Sequence, residues 1–179
     1  MTRHSFIQMS KLYNVKGRIS YITSHARQEN LYATYRTADN SFWRNLAKEC
    51  QQEFKRSNSP GKCIEARELI IALPEVYTRY EPQEVLEDFT EEFHRRYSVE
   101  CMSALHHNKR KTNYHIHLIF SERKLLPEPD IKRATRSVFY DETGKRVRTK
   151  KEITGEDGQI RKGCTVIKKG EVYETMSFS

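Results

Sequence analysis

Ala104-Leu105-His106-His107, followed after a short basic loop by Asn113-Tyr114-His115-Ile116-His117-Leu118-Ile119-Phe120, is the stretch on which the fold turns. Alternate side chains of a β-strand share a face. His115 and His117 therefore point one way, while Ile116, Leu118 and Phe120 point to the opposite, core side. A paired strand through Ser103 to His106 would bring a third imidazole onto the histidine face. Three converging imidazoles can hold a divalent cation and leave coordination positions open for a substrate. Leu105 belongs to the core side, so alternation favours His106 over His107, which would take part only at a bulge or where the strand is already turning. A His-x-His pair also occurs on polar sheet faces without metal. The apolar residues threaded through this one, and the histidines upstream, favour a metal site.

Outward from these strands (residues 99–105 and 113–121), the basic loop 108–112 joins them. Upstream, residues 64–73 read as a strand stopped by Pro74. A helix starts near Glu81-Pro82, with proline suited to the first turn, and Val85, Leu86, Phe89, Phe93 and Tyr97 form its apolar face. An earlier helix, capped by Asp39, Asn40 or Ser41, runs to about Lys55 with Phe42, Leu46, Cys50 and Phe54 at four-residue spacing. Ser57 to Gly61 ends it. Residues 3–9 read as a first strand, and residues 17–35 as a short helix and a loop. The order strand, helix, helix, strand, helix, strand, strand predicts an α+β fold, one antiparallel sheet with helices on one face. We place a core at residues 1–126. Beyond it, residues 127–179 read as a basic, hairpin-rich extension of the same domain, with turn signals at Asp141-Glu142-Thr143-Gly144 and Gly155-Glu156-Asp157-Gly158.

The 179 residues suffice for one domain with a sizeable core. At 36% hydrophobic and 31% charged the composition is globular, neither disordered nor membrane-embedded. No apolar run approaches the ~20 residues that span a bilayer, and the start Met1-Thr2-Arg3-His4 lacks the apolar stretch of a signal peptide, which places the protein in the cytoplasm. Cys50, Cys63, Cys101 and Cys164 form no Cys-x-x-Cys pair and read as reduced structural thiols. The net charge of +8 favours a polyanionic partner.

The histidine stretch and its continuation Ser121-Glu122-Arg123 resemble the metal-site signature of the MobA/MobL relaxases, within the HUH endonucleases. Tyr114 stands where that family usually has proline, and the loop before it is about one residue longer if His106 is a ligand. Residues 65–74 (EARELIIALP) resemble the family's strand ending in Ala-Leu-Pro, and Phe42-Trp43 its tryptophan-led helix. The likeness covers roughly residues 3–126. It implies a five-stranded antiparallel sheet with flanking helices and a divalent ion, Mg2+ or Mn2+, held by His106, His115 and His117.

The resemblance also implies a mechanism: a tyrosine near the N-terminus attacks a DNA phosphate and stays covalently on the 5′ phosphate. The segment from Val15 to Ile22, with Leu31-Tyr32-Ala33 downstream, aligns best with Tyr21 as that catalytic residue. Tyr13, Tyr32 and Tyr35 remain alternatives, as does His25, because a related relaxase group uses histidine. A phenol titrates ordinarily near ~10, so an attacking tyrosine needs a nearby cation or base. Glu65 and Glu68 could orient a ligand or accept a proton, or simply form the polar side of a strand.

Lys109, Arg110 and Lys111 in the loop, and Lys145, Arg146 and Arg148 in the extension, are the candidate DNA-binding residues. The partners implied are single-stranded and hairpin DNA at an origin of transfer, with accessory relaxosome proteins and no membrane; the oligomeric state stays open. A rolling-circle replication initiator shares this chemistry, and a non-catalytic DNA-binding module could share the fold.

Overall fold

The computed structural model describes residues 6–27, 30–108 and 113–179. They fall into two compact units, one from residues 1–47 and 64–124, the other from residues 48–63 and 125–179.

The first unit runs β1 (Ile7–Leu12), α1 (Val15–Ile22), β2 (Leu31–Arg36), the start of α2 (Asn40–Ser57), β3 (Ala66–Ala72), α3 (Pro82–Tyr97), β4 (Cys101–His107) and β5 (Tyr114–Phe120), with a 3-10 turn at Glu75–Arg79 before α3. The strands form one sheet in the order β1-β3-β5-β4-β2. Every neighbouring pair is antiparallel, so the fold is α+β.

Two sequence expectations need correction. Residues 31–36 form a strand, not a loop. The β2–β4 register shifts between Leu31 and Ala33, and such a bulge breaks the period-two pattern by which a strand is read. The helices also do not all lie on one face. The Ile22 carbonyl at the end of α1 meets His106, and Arg18 of α1 meets Glu68 of β3, so α1 lies on the histidine side.

α3 covers the other face. Its Val85 and Leu86 pack with Ala33, Leu105, Ile116 and Leu118. Leu86, Leu105 and Ile116 have no exposed surface, and burying each such side chain contributes about 1.5–3 kcal/mol. Pro82 opens α3 at its first turn, and Ser98 closes it in the left-handed region at φ 52°. For α2 the cap is Asp39, whose carboxylate accepts the N–H of Ser41 at 2.8 Å and of Phe42 at 3.0 Å. Tyr114, where the family has proline, is buried in the α3-side core. Ser121 and Glu122 hold the end of β5: Ser121 Oγ donates to the Arg123 carbonyl at 2.7 Å, and Glu122 takes Arg67 of β3 at 2.6 Å.

The second unit contains the C-terminal part of α2, a two-stranded ribbon of β6 (Leu125–Arg133) with β10 (Val172–Phe178), and a small sheet ordered β8 (Arg146–Val147), β7 (Val138–Tyr140), β9 (Thr165–Ile167). The two signalled turns close the β7–β8 pair and the Thr154–Ile160 bridge, while β6 pairs with a strand almost forty residues away. Both turns share one design. Asp141 N–H bonds the Lys145 carbonyl and Gly144 N–H the Asp141 carbonyl. Gly155 and Gly158 repeat this pattern with Gln159 and Gly155. Gly144 and Gly158 both have φ near +76°, which glycine adopts without strain. The four cysteines are free, and no helix among the described residues is long and apolar enough to cross a membrane.

Candidate functional site

Strand register builds the site. His106 on β4 stands directly opposite His115 on β5, and Ala104 opposite His117. On the other flank of β5, Ala72 of β3 faces His115. Alanines at these cross-strand positions leave the imidazoles room to approach each other. One ring nitrogen from each of His106, His115 and His117 lies within 4.8 Å of the other two. His107 is not among them: its ring stands 5.1 Å from Tyr114 and 6.0 Å from Tyr32. Alternation along β4 separates the two histidines, as it should.

Each ring has one nitrogen engaged by an oxygen that can only accept. The N–H at His106 Nε2 donates to the Ile22 carbonyl at 2.8 Å. That at His115 Nδ1 donates to the Asn113 carbonyl at 3.2 Å, and that at His117 Nδ1 to Glu68 Oε1 at 2.7 Å. These partners assign the tautomers. They leave lone pairs on His106 Nδ1, His115 Nε2 and His117 Nε2. The last two nitrogens are 3.1 Å apart, and two lone pairs that close repel unless something positive lies between them. Three imidazoles, each oriented by an outer oxygen, are a donor set that fits a divalent cation. Burial pushes His106 down to about 4 and also lowers His115, so both rings are uncharged at neutral pH.

Glu68 is itself buried. Burial alone would raise its carboxyl, but hydrogen bonds from His117 and Arg18, with the Arg18 charge, hold it below the ordinary range. Arg18 reaches it as a fork, Nε to Oε2 at 2.9 Å and Nη2 to Oε1 at 2.9 Å. The same guanidinium carries the ring of Tyr21 at 5.4 Å. A continuous line thus runs from Tyr21 through Arg18 and Glu68 to His117.

α1 owes its position to residues before it and across the sheet. Asn14 Oδ1 accepts the Gly17 N–H at 2.9 Å, and Glu65 Oε2 accepts the Val15 N–H at 2.8 Å. Glu65 therefore anchors a helix start and Glu68 orients a histidine.

Among the tyrosines, Tyr21 is exposed on α1, the helix that meets the histidines. Tyr35 lies on the opposite face, its hydroxyl donating to Glu91 of α3 at 2.5 Å. Tyr32 packs its ring toward Tyr114 on that same far side. Tyr13 is exposed just after β1, and His25 is exposed in the turn after α1. Lys109, Arg110 and Lys111 lie outside the described residues. Lys145, Arg146 and Arg148 are exposed in the second unit.

Sequence reading missed Arg18. Its signal was there: Arg18 and Tyr21 are three apart on a helix, the spacing at which side chains meet.

The model of the MobA/MobL family matches residues 14–171. No curated protein matches the chain.

Proposed function

The chain belongs to the MobA/MobL family, whose members are mobilisation relaxases, and from that premise we propose that it nicks single-stranded DNA at the origin of transfer of a mobile element. The observation that carries this reading is the set of three imidazoles whose ring nitrogens converge within 4.8 Å, each ring oriented by an outer oxygen. His106, His115 and His117 would hold a divalent ion, Mg2+ or Mn2+, and a cation there would draw charge from the phosphoryl oxygens of the scissile phosphate.

Tyr21 is the nucleophile in this reading. Its oxygen forms a bond to phosphorus as the bond from phosphorus to the 3′ oxygen breaks. The phenol gives up its proton to solvent, and the departing 3′ oxygen takes one up as a hydroxyl. The 5′ phosphate remains on the enzyme as an ester, so the bond energy is kept for rejoining. Arg18 holds the Tyr21 ring and Glu68 holds Arg18, which ties the nucleophile to the histidines and limits the geometries it samples. Catalysis belongs to residues 1–126 and DNA holding to residues 127–179 and the loop at 109–111.

The test is a covalent adduct. Incubation with an oligonucleotide carrying the nick site and Mn2+ should give a protein–DNA species stable to denaturation. EDTA should abolish it, and His115→Ala or His117→Ala should do the same in protein that remains folded by circular dichroism. DNA binding without cleavage, with or without metal, would make the chain a binding module instead.

A further inference from the structure

The second unit carries adjoining arginine-lined cavities that add Arg56, Arg133 and Arg136 to the arginines the sequence singles out. One cavity, of about 580 Å3, is lined by Arg56 on α2, Arg136, and Arg146 and Arg148 around β8. A second, of about 450 Å3, shares Arg136 and Arg146 and adds Arg133. Arg136, Val138 and Arg146 line both cavities, so the two adjoin one another. Among the described residues, neither cavity is lined by a carboxylate.

The ion pairs of this unit place Arg56 and Lys132 on Glu174, and Arg161 on Glu142. Arg136 and Arg146 are outside that set and exposed. Arg148 is exposed too, and after the hydrogen bonds from Thr149 its charge helps to hold the Glu152 carboxyl low. Aromatic rings line the same cavities, Phe139 the first and Tyr173 the second, beside the buried Tyr140. Guanidiniums lining adjoining cavities repel one another until a polyanion enters. Cations and rings lining the same cavities suit a strand whose phosphates repeat and whose bases are unpaired.

We propose that these adjoining cavities bind the backbone of single-stranded DNA, with Arg136 and Arg146, which line both, each neutralising a phosphate. The proposal rests on the chain being a DNA-binding protein and adds which residues hold the strand. It sets Arg56, Arg133 and Arg136 beside Arg146 and Arg148. Lys145 lines neither cavity.

The test is the salt dependence of binding by the full chain to a fluorescent oligothymidine strand, read by anisotropy. Each single-strand phosphate neutralised contributes about 0.7 to the log–log slope, so Arg136→Gln with Arg146→Gln should reduce it by about 1.4. Arg136→Lys with Arg146→Lys keeps the charges and should restore it, which a merely structural role would not do. Lys48→Ala with Lys162→Ala makes the same change in net charge away from the cavities and should leave the slope as in the wild type. An unchanged slope in the glutamine pair, or an equal loss in the Lys48 and Lys162 pair, overturns the proposal. A loss seen with a duplex hairpin and not with oligothymidine overturns the single-strand assignment. Metal-dependent adduct formation by the wild-type chain is scored separately. It can survive the failure of the cavity assignment, whereas a wild-type chain that binds no DNA sinks both readings.

Discussion

Arg18 grips Glu68 with two guanidinium nitrogens across the gap between α1 and β3, and Glu68 in turn accepts the Nδ1–H of His117. A carboxylate behind a metal-binding histidine fixes the ring and raises its basicity, and its loss typically costs 10–100-fold in metal affinity. Glu68→Gln should therefore weaken Mn2+ binding by about that factor, measured by isothermal titration calorimetry. The amide keeps the shape but not the charge, so secondary structure should persist. Wild-type affinity in the variant would mean that Glu68 only fills the strand's polar side.

The position of α1 depends on two caps. Asn14→Ala removes the acceptor for the Gly17 N–H, and Glu65→Gln weakens that for the Val15 N–H. Each should cost about 1 kcal/mol in urea unfolding. Because α1 also supplies the Ile22 carbonyl that orients His106, both changes should lower metal affinity along with stability. Lost stability with intact affinity would show that the histidines need no support from this helix.

The sheet's centre was legible because its signals are local. Ile116, Leu118 and Leu105 alternate with histidines, and burial on one face turns that alternation into register. The same alternation separates His106 from His107. β2 was not legible, because its bulge at Tyr32 interrupts the period and its tyrosines suit a loop as well as a strand. Arg18 was legible only toward Tyr21, three residues on along α1. Its partner Glu68 is fifty residues away, and no spacing rule links them. Glu68 could be singled out on its strand, but the histidine it orients depends on the pairing of β3 with β5.

Tyr35 gives a prediction about pH. The hydrogen bond to Glu91, then burial and the charges of Glu91 and Glu87, raise its phenol to about 12. A raised folded value means that the native state keeps a proton which the unfolded chain loses near its ordinary value of about 10. The stability this gives is complete below about pH 10 and is lost as pH rises through about 12. Tyr35→Phe should therefore flatten the decline in melting temperature over that window. It should leave adduct formation intact, since Tyr35 lies on the α3 side of the sheet. Loss of the adduct in this variant would transfer the nucleophile's role to Tyr35.

Tyr21→Phe tests the chemistry most directly. The change keeps the ring, and with it the contact to Arg18, while removing the one nucleophilic atom. Folding, Mn2+ affinity and binding of uncleaved DNA should match the wild type, and the covalent adduct should vanish. The rivals separate before any mapping. A phosphotyrosyl ester survives acid, whereas a phosphohistidine at His25 would release the DNA on acid treatment. Among the tyrosines, Tyr32→Phe and Tyr13→Phe should each retain the adduct. Tyr32 packs toward Tyr114 on the α3 side, while Tyr21 rides on the helix whose last carbonyl holds His106. Peptide mapping of the wild-type adduct then has one expected answer, the segment carrying Tyr21. An adduct that persists in Tyr21→Phe and maps to Tyr32 would require the strand to approach from the face opposite the three histidines, and the proposed link from nucleophile to metal through Arg18 and Glu68 would fall.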